Sequence, residues 1–282
     1  MSGGWNTIES DAGVFTELLE KLGAKDVQFE ELISLDADLL RQLSPVYGVI
    51  FLFKYPTGES PSSVPKDGTF DHSAAENIFF AAQTIQNACG TQALLSVLLN
   101  KDGEIDIGAP LRDFKEFTTA FPADSRTATA DDDVYHFIAY TPINNVLYEL
   151  DGLQAAPISH GPCTSDEFPE KVIPVLQRRI ERYPSGEIRF NLLAVCRDLR
   201  VRAREVGDLE GLRREEAKRV EWAWENALRR HNFVGFVGEL MKGVVRAKLK
   251  EGRAWVKEAV ERSKKRREEG RRKGGVGDEM EV

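Results

Sequence analysis

The chain has 282 residues, of which 41% are apolar, and it carries 38 Lys and Arg against 46 Asp and Glu. This length is ample for one large domain with an appendage. Three cysteines without a CxxC pair and four histidines argue against a disulfide framework, a zinc finger or a His-rich metal tract, and they favour a reducing compartment. No apolar run approaches the roughly 20 residues that cross a bilayer, and the N-terminus lacks the basic and apolar regions of a secretory signal.

The net charge of −8 is unevenly distributed. Residues 246–273 contain 13 basic and 5 acidic side chains, which leaves −16 for the rest of the chain. An acidic body with a basic tail suggests two regions with different partners. The acidic body does not favour a nucleic-acid binder, and Trp255 is the one aromatic residue in the tail.

The first 200 residues mix helix and strand patterns. Apolar spacing and cap residues predict the following elements in chain order: a helix over 13–22, a buried strand over 47–53, a surface loop over 56–70, helices over 88–99 and 111–121, strands over 134–140 and 146–150, a helix over 168–182 and a strand over 188–196. After residue 198 the strand pattern ends and charge rises. We therefore expect a catalytic-type α/β domain over 1–200, a helical extension over 201–273 and a disordered tail over 274–282.

Cys89 is the candidate nucleophile. It lies at or within one turn of a predicted helix N-terminus, where free backbone N–H groups and the helix dipole favour a thiolate. Cys163, in a Gly-Pro-Cys loop, and Cys196, at a strand end, open no helix and are expected to be small buried apolar residues. A buried apolar role is also the usual one for a cysteine chosen at random, so Cys89 needs a partner base.

His136 is the candidate base, because it lies inside an apolar strand where an imidazole needs a partner. A satisfied core histidine is the alternative. The next strand ends at Asp151, and the turn at 143–145 allows two registers, with Asp151 opposite either Ile138 or His136. Both registers put His136 and Asp151 on one face of the sheet, so Asp151 could orient the ring.

The remaining candidates carry weaker signals. Gln83 precedes Cys89 by six residues, and its side-chain amide, together with the Cys89 backbone N–H, could hold an oxyanion. His72 and His160 are expected to be solvated loop residues, and His160 is the second candidate for the base. His231 is expected to be a surface or packing residue of the helical region.

These residues resemble those of the ubiquitin C-terminal hydrolases, which are papain-like cysteine proteases. The resemblance covers about the first 200 residues through five segments: WNTIESDAGVFTELLEKLG, VYGVIFLFKY, NIFFAAQTIQNACGTQALLSVLLN, VYHFIAYTPINNVLYELDGL and GEIRFNLLAV. It implies an α/β (α+β) fold with a mostly antiparallel central sheet flanked by helices. It also implies Cys89 as nucleophile, His136 as base, Asp151 as orienter and Gln83 as oxyanion donor, with no metal or organic cofactor.

The segment RRHNFVGFVGELMKGVV resembles the helical extension of the family's larger, proteasome-associated branch, of fungal type. This implies a deubiquitinase in the cytoplasm and nucleus, with ubiquitin conjugates and the adaptor domain of a proteasomal ubiquitin receptor as partners, and a chromatin-remodelling subunit as a further one. The expected docking residues are Phe233, Phe236, Leu240 and Met241. The connection from Cys89 to His136 is shorter than the family usually has, so the alternative is a ubiquitin-binding regulatory subunit with impaired catalysis.

Overall fold

The computed structural model describes residues 8–54, 64–74, 77–83, 87–120, 135–184, 189–250 and 260–265. The chain divides into two compact units, Met1–Asn226 and Ala227–Val282. Within the described ranges no helix is both long enough and apolar enough to span a membrane.

Helix α1 (Ala12–Leu22) illustrates how local signals define an element. The Asp11 carboxylate accepts a hydrogen bond from the Val14 backbone N–H at 2.9 Å, and Gly23 ends the helix in the left-handed conformation with φ 102°. Phe15 and Leu19, one turn apart, are fully buried in the core. The predicted helix is confirmed and begins one residue earlier than expected.

The other elements of the first unit follow the predicted order. The strands are β1 (Val27–Glu31), β2 (Val46–Lys54), β3 (Thr69–Phe70), β4 (Tyr135–Ile143), β5 (Val146–Leu150), β6 (Ile158–Pro162) and β7 (Asn191–Arg197). The helices are α2 (Ala37–Gln42), α3 (Cys89–Leu98), α4 (Gly108–Ala120), α5 (Phe168–Ile180) and α6 (Leu199–Val206). Four short elements, β1, α2, β3 and β6, lie where the sequence predicts none.

The strands that the structure describes form one antiparallel sheet. Their order is β1-β7-β2-β4-β5-β6-β3, and helices cover both faces. The mixed fold with a central antiparallel sheet and flanking helices is therefore confirmed.

Each face of the sheet buries its own apolar layer. One layer contains Ile50 and Phe137 with side chains of α1 and α3, and the other contains Phe51 and Ile138 with side chains of α2 and α5. This division follows from the alternation of side chains along a strand. Because His136 lies two residues before Ile138, its side chain faces the α5 layer. Truncating the fully buried Phe51 to alanine would cost about 3–5 kcal/mol of stability.

The β4–β5 hairpin settles the register that the sequence leaves open. Asn144 and Asn145 have φ of 50° and 62°, as the two central positions of a type I′ turn require. Ile143 therefore pairs with Val146, and Ala139 pairs with Leu150. Continuing this register brings Asp151 opposite Ile138 and diagonal to His136, which is one of the two predicted arrangements.

The first unit includes most of helix α7 (Leu209–Arg229). Trp222 packs against the core beside Gly13 of α1, and the Asn226 side-chain amide donates to the Gly13 carbonyl at 3.0 Å. Arg219 pairs with Asp198 at 3.2 Å. The predicted boundary near residue 200 thus marks a change in composition, whereas the compact unit continues to Asn226. The predicted tail over 274–282 lies outside the described residues.

Helix α8 (Val234–Lys250) lies in the second unit and carries an exposed apolar face. Its exposed side chains, together with the residue that precedes the helix, recur every three or four positions: Phe233, Phe236, Val237, Leu240, Met241, Val244 and Val245. We refer to these residues as the α8 stripe. In a helix, this spacing places the side chains on one side.

Candidate active site

Cys89 is the first residue of helix α3. Ala88 provides no side-chain cap, so the first backbone N–H groups of the helix are not satisfied by a capping side chain. The thiol is nearly buried, with 6% of the residue exposed. The structure therefore places Cys89 at a helix N-terminus, which is the position that the sequence predicts.

His136 and Asp151 form a buried pair. The ring Nε2–H donates to Asp151 Oδ1 at 2.7 Å, and both side chains are at most 1% exposed. The carboxylate also accepts the Leu153 backbone N–H at 2.9 Å and the Gln154 side-chain amide at 3.3 Å. Asp151 is therefore held from two sides, and it fixes the ring orientation and tautomer of His136.

Cys89 lies beside the imidazole ring of His136 and is, after Asp151, the neighbour that raises the pKa of that ring. Burial alone would lower the pKa of His136, but the Asp151 carboxylate and then Cys89 outweigh burial and raise that pKa to about 9. Burial opposes ionisation of Asp151, yet the charge and hydrogen bond of His136 lower the pKa of Asp151 below its usual value. The structure thus brings the three predicted side chains, Cys89, His136 and Asp151, together.

Gln83 is buried, with 2% of the residue exposed, and its backbone N–H donates to the Gly152 carbonyl at 2.8 Å. Gly152 follows Asp151 directly, so this bond fixes the Gln83 segment next to the strand end that carries the carboxylate. Residues 84–86, between Gln83 and the helix of Cys89, lie outside the described residues.

A cavity of about 280 Å³ opens at Cys89. It is lined by Ile8, Leu52, Asn87, Cys89, Gly90, Tyr135 and Phe137. A Cβ atom at Gly90 would lie 2.5 Å from Ile8 Cγ2, so this position needs glycine for the close approach of the N-terminal segment. The cavity gives an extended peptide an apolar place beside the thiol.

The remaining histidines and cysteines lie apart from this relay. The prediction that His160 is solvated is wrong, because its side chain is 1% exposed and its Nε2 lies 3.2 Å from Glu149 Oε2. His72 and His231 are exposed as predicted. Cys163 and Cys196 are buried thiols as predicted, and burial raises the pKa of each, to about 11 for Cys163. Among the described residues, no group of three or more His, Cys, Asp or Glu side chains could hold a metal.

The structure adds residues that sequence reasoning did not select. The edge of the Phe53 ring meets the His136 ring with centroids 5.7 Å apart and an interplanar angle of 89°. Arg179 of α5 pairs with Glu149 on the same face of the sheet. Glu149 could have been noticed because it lies two residues before Asp151 on one strand, whereas nothing in the sequence ties Arg179 to the site.

Comparison with known proteins identifies the family. The sequence profile of ubiquitin carboxyl-terminal hydrolase, family 1, matches residues 5–131 and 123–181, and a second profile of the ubiquitin carboxyl-terminal hydrolases matches residues 207–249. The two parts of the first match overlap inside the connection between α4 and β4. All of that connection, residues 121–134, lies outside the described residues.

Relatives match over most of their length. Ubiquitin carboxyl-terminal hydrolase 2 of Schizosaccharomyces pombe is 49% identical over 281 residues, covering 87% of this chain and 92% of that protein. Ubiquitin carboxyl-terminal hydrolase ubh-4 of Caenorhabditis elegans is 36% identical, covering 86% and 87%. The crystal structure of Trichinella spiralis UCH37 bound to ubiquitin vinyl methyl ester matches with a TM-score of 0.60 and 34% identity, covering 80% of this chain and 98% of that one. The chain therefore belongs to the ubiquitin carboxyl-terminal hydrolases, family 1, a family of thiol-dependent deubiquitinases.

Proposed function

We propose that this protein hydrolyses the amide or isopeptide bond that follows the C-terminal glycine of ubiquitin, with Cys89, His136 and Asp151 as its catalytic triad. The observation that carries the proposal is the buried arrangement at the start of α3, in which the His136 imidazole hydrogen-bonds the Asp151 carboxylate and lies beside the Cys89 thiol. Membership of the family supplies the substrate class. The cavity at Cys89 provides space for the extended end of a ubiquitin chain.

The chemistry follows from the order of these groups. His136 takes the proton of the Cys89 thiol, and the resulting thiolate attacks the carbonyl carbon of the terminal glycine. The Cys89 backbone N–H and the Gln83 amide are the proposed donors to the oxyanion. The imidazolium then gives its proton to the leaving amine as the C–N bond breaks, which leaves a thioester on Cys89.

Hydrolysis of the thioester reverses these roles. His136 takes a proton from a water molecule, the hydroxide attacks the thioester carbonyl, and the C–S bond breaks. The products are a free ubiquitin carboxylate and a regenerated thiol. Throughout, Asp151 keeps the ring in the tautomer that presents Nδ1 to sulfur.

Hydrolysis of a ubiquitin–fluorophore amide tests this proposal. We expect Cys89→Ala to abolish turnover, because no other described thiol contacts a base, while Cys163→Ala retains most of it. Full activity in Cys89→Ala would contradict the mechanism. Ubiquitin binding without turnover in the wild-type protein would favour the alternative, a regulatory subunit with impaired catalysis, but the assembled relay supports the enzyme.

The α8 stripe supports a second part of the proposal, docking to a helical adaptor domain. Phe236 is 66% exposed and Met241 is 63% exposed, and clustered apolar side chains left in water mark an interaction surface. The resemblance to the proteasome-associated branch supplies the partner, the adaptor domain of a proteasomal ubiquitin receptor. This partner would place the protein in the cytoplasm and nucleus, and imaging of the tagged full-length chain would test that placement.

A further inference from the structure

A buried charged cluster lies behind the catalytic pair, on the α5 side of the sheet. Its centre is Glu149, 2% exposed, which accepts the Tyr140 hydroxyl at 3.0 Å and an Arg179 N–H at 2.9 Å, and which lies 3.2 Å from His160 Nε2. Burial opposes ionisation of Glu149, but Arg179 and then His160 lower its pKa below its usual value. The protein thus keeps a cation and an anion in its interior, which is costly unless hydrogen bonds compensate the lost hydration.

The first link from this cluster to the active site runs along strand β5. Glu149 lies in β5 and Asp151 directly follows the last residue of that strand, so continuing the alternation of the strand by one residue puts both side chains on the same face of the sheet. The Arg179 charge also reaches the catalytic carboxylate. Burial raises the pKa of Asp151, and the charge and hydrogen bond of His136 lower it. The Arg179 charge lowers that pKa further, by less than His136 does.

The second link is a series of two contacts that joins three side chains. The Arg179 guanidinium carbon lies 4.7 Å from the centroid of the Phe53 ring, and the Phe53 ring meets the His136 ring edge-on. Phe53 is fully buried, so it has little freedom to move away from either neighbour. A cation over one aromatic face and an imidazole at its edge together restrict how the imidazole can tilt.

We propose that Arg179 is a positioning residue for the catalytic pair, acting by holding Phe53 against His136 and by placing a fixed positive charge near Asp151. Glu149 is the anchor that keeps the guanidinium in place. This role rests on the proposed function, since it concerns the geometry of the same triad. The contacts that the structure gives Arg179 are with Glu149 and the Phe53 ring, so its effect on the triad passes through Phe53 and the carboxylate.

Two adjacent arginines on α5 give a matched test. Arg178 is the exposed neighbour: its Nε lies 3.0 Å from Asp67 Oδ2 and its side chain is 49% exposed, so it is linked to the buried cluster only through Asp67, which lies 3.8 Å from His160 Nδ1. We expect Arg179→Met to lower kcat for a ubiquitin–fluorophore amide by about tenfold to a hundredfold with KM within about twofold, because ring misplacement affects the transition state rather than binding. Arg178→Met should leave both constants within about twofold. Rates are divided by the active fraction, titrated with ubiquitin vinyl methyl ester, so that partial unfolding does not count as lost catalysis.

A double-mutant cycle then separates positioning from a general packing defect. Phe53→Leu keeps an apolar core residue and removes the ring that links Arg179 to His136. Both substitutions break the route through the ring, and only Arg179→Met also removes the charge near Asp151, so the loss of kcat in the double variant should be smaller than the product of the two single losses. Losses that multiply would overturn the proposal, as would an unchanged kcat in Arg179→Met.

Arg179→Lys covers the case in which Arg179→Met does not fold. Lysine keeps the charge opposite Glu149 but lacks the planar group over Phe53, so kcat should fall by about threefold to tenfold. A wild-type kcat in this variant would contradict the role of the guanidinium. The proposed function fails separately, because it depends on the loss of turnover in Cys89→Ala and not on any Arg179 variant.

Discussion

Replacing Asp151 with asparagine removes the charge that sustains the imidazolium while keeping the size of the side chain. The pKa of His136 is raised from 6.5 to about 9, against the opposing effect of burial, and Asp151 makes the largest favourable contribution. This rise in the pKa of His136 corresponds to a free-energy preference of about 3 kcal/mol for the charged ring over the neutral ring. In Asp151→Asn, burial dominates and the pKa of His136 should fall below its ordinary value.

We expect kcat/KM of Asp151→Asn to fall by at least about a hundredfold, which is the rate equivalent of about 3 kcal/mol. The asparagine can also present its amide to the ring and favour the wrong tautomer. The alkaline limb of the kcat/KM profile should lie near pH 9 in the wild-type protein and move to lower pH in the variant. The assay is hydrolysis of a ubiquitin–fluorophore amide from pH 6 to pH 10.

The same pair makes a prediction for the pH dependence of stability. The pKa of His136 is higher in the folded protein than in the unfolded chain. Its contribution to stability is therefore fully present below about pH 6.5 and is lost as pH rises through about 9. Asp151→Asn should reduce this decline. A pH-independent loss of rate below tenfold, with the alkaline limb unmoved, would refute the account of the pair.

Two further predictions concern the C-terminal region. A chain that ends after Asn226 should keep wild-type turnover, whereas one that ends after Arg204 should be poorly folded because it removes Trp222 from the core of the first unit. Thermal unfolding and the amide assay distinguish the two truncated chains. Equal stability of the two would contradict the unit boundary. Phe236→Asp should weaken adaptor binding by more than about 1 kcal/mol if this exposed ring is a central anchor, whereas Glu239→Gln, a change at an exposed polar residue, should not. Calorimetry with the isolated adaptor domain measures both affinities. Equal affinities of the two variants would exclude the α8 stripe from the interface.

Much of the site could be predicted because its signals are local. A cysteine at a helix start, a histidine in an apolar strand and an aspartate at the end of the next strand are each visible within a few residues. The hairpin then relates His136 to Asp151 through simple pairing arithmetic, and the two Asn residues of the turn select the register.

The rest depends on packing between distant segments. His160 lies in a short strand of small residues that looks like a loop, and its burial comes from Glu149 and from the segment that carries Asp67. Arg179 looks like any charged residue near a helix end until α5 is packed on the sheet. Likewise, Trp222 belongs to a charged helix by composition, yet it packs on α1 across more than two hundred residues of chain.

The assignment of Cys89 as the nucleophile toward the ubiquitin C-terminus is tested most directly by intact-mass measurement after reaction with ubiquitin vinyl methyl ester. One ubiquitin should add to the wild-type protein and to Cys163→Ala, peptide mapping should place the adduct on Cys89, and His136→Ala should react far more slowly. An adduct that forms on Cys89→Ala at the wild-type rate, or that maps to Cys163 or Cys196, would contradict the assignment.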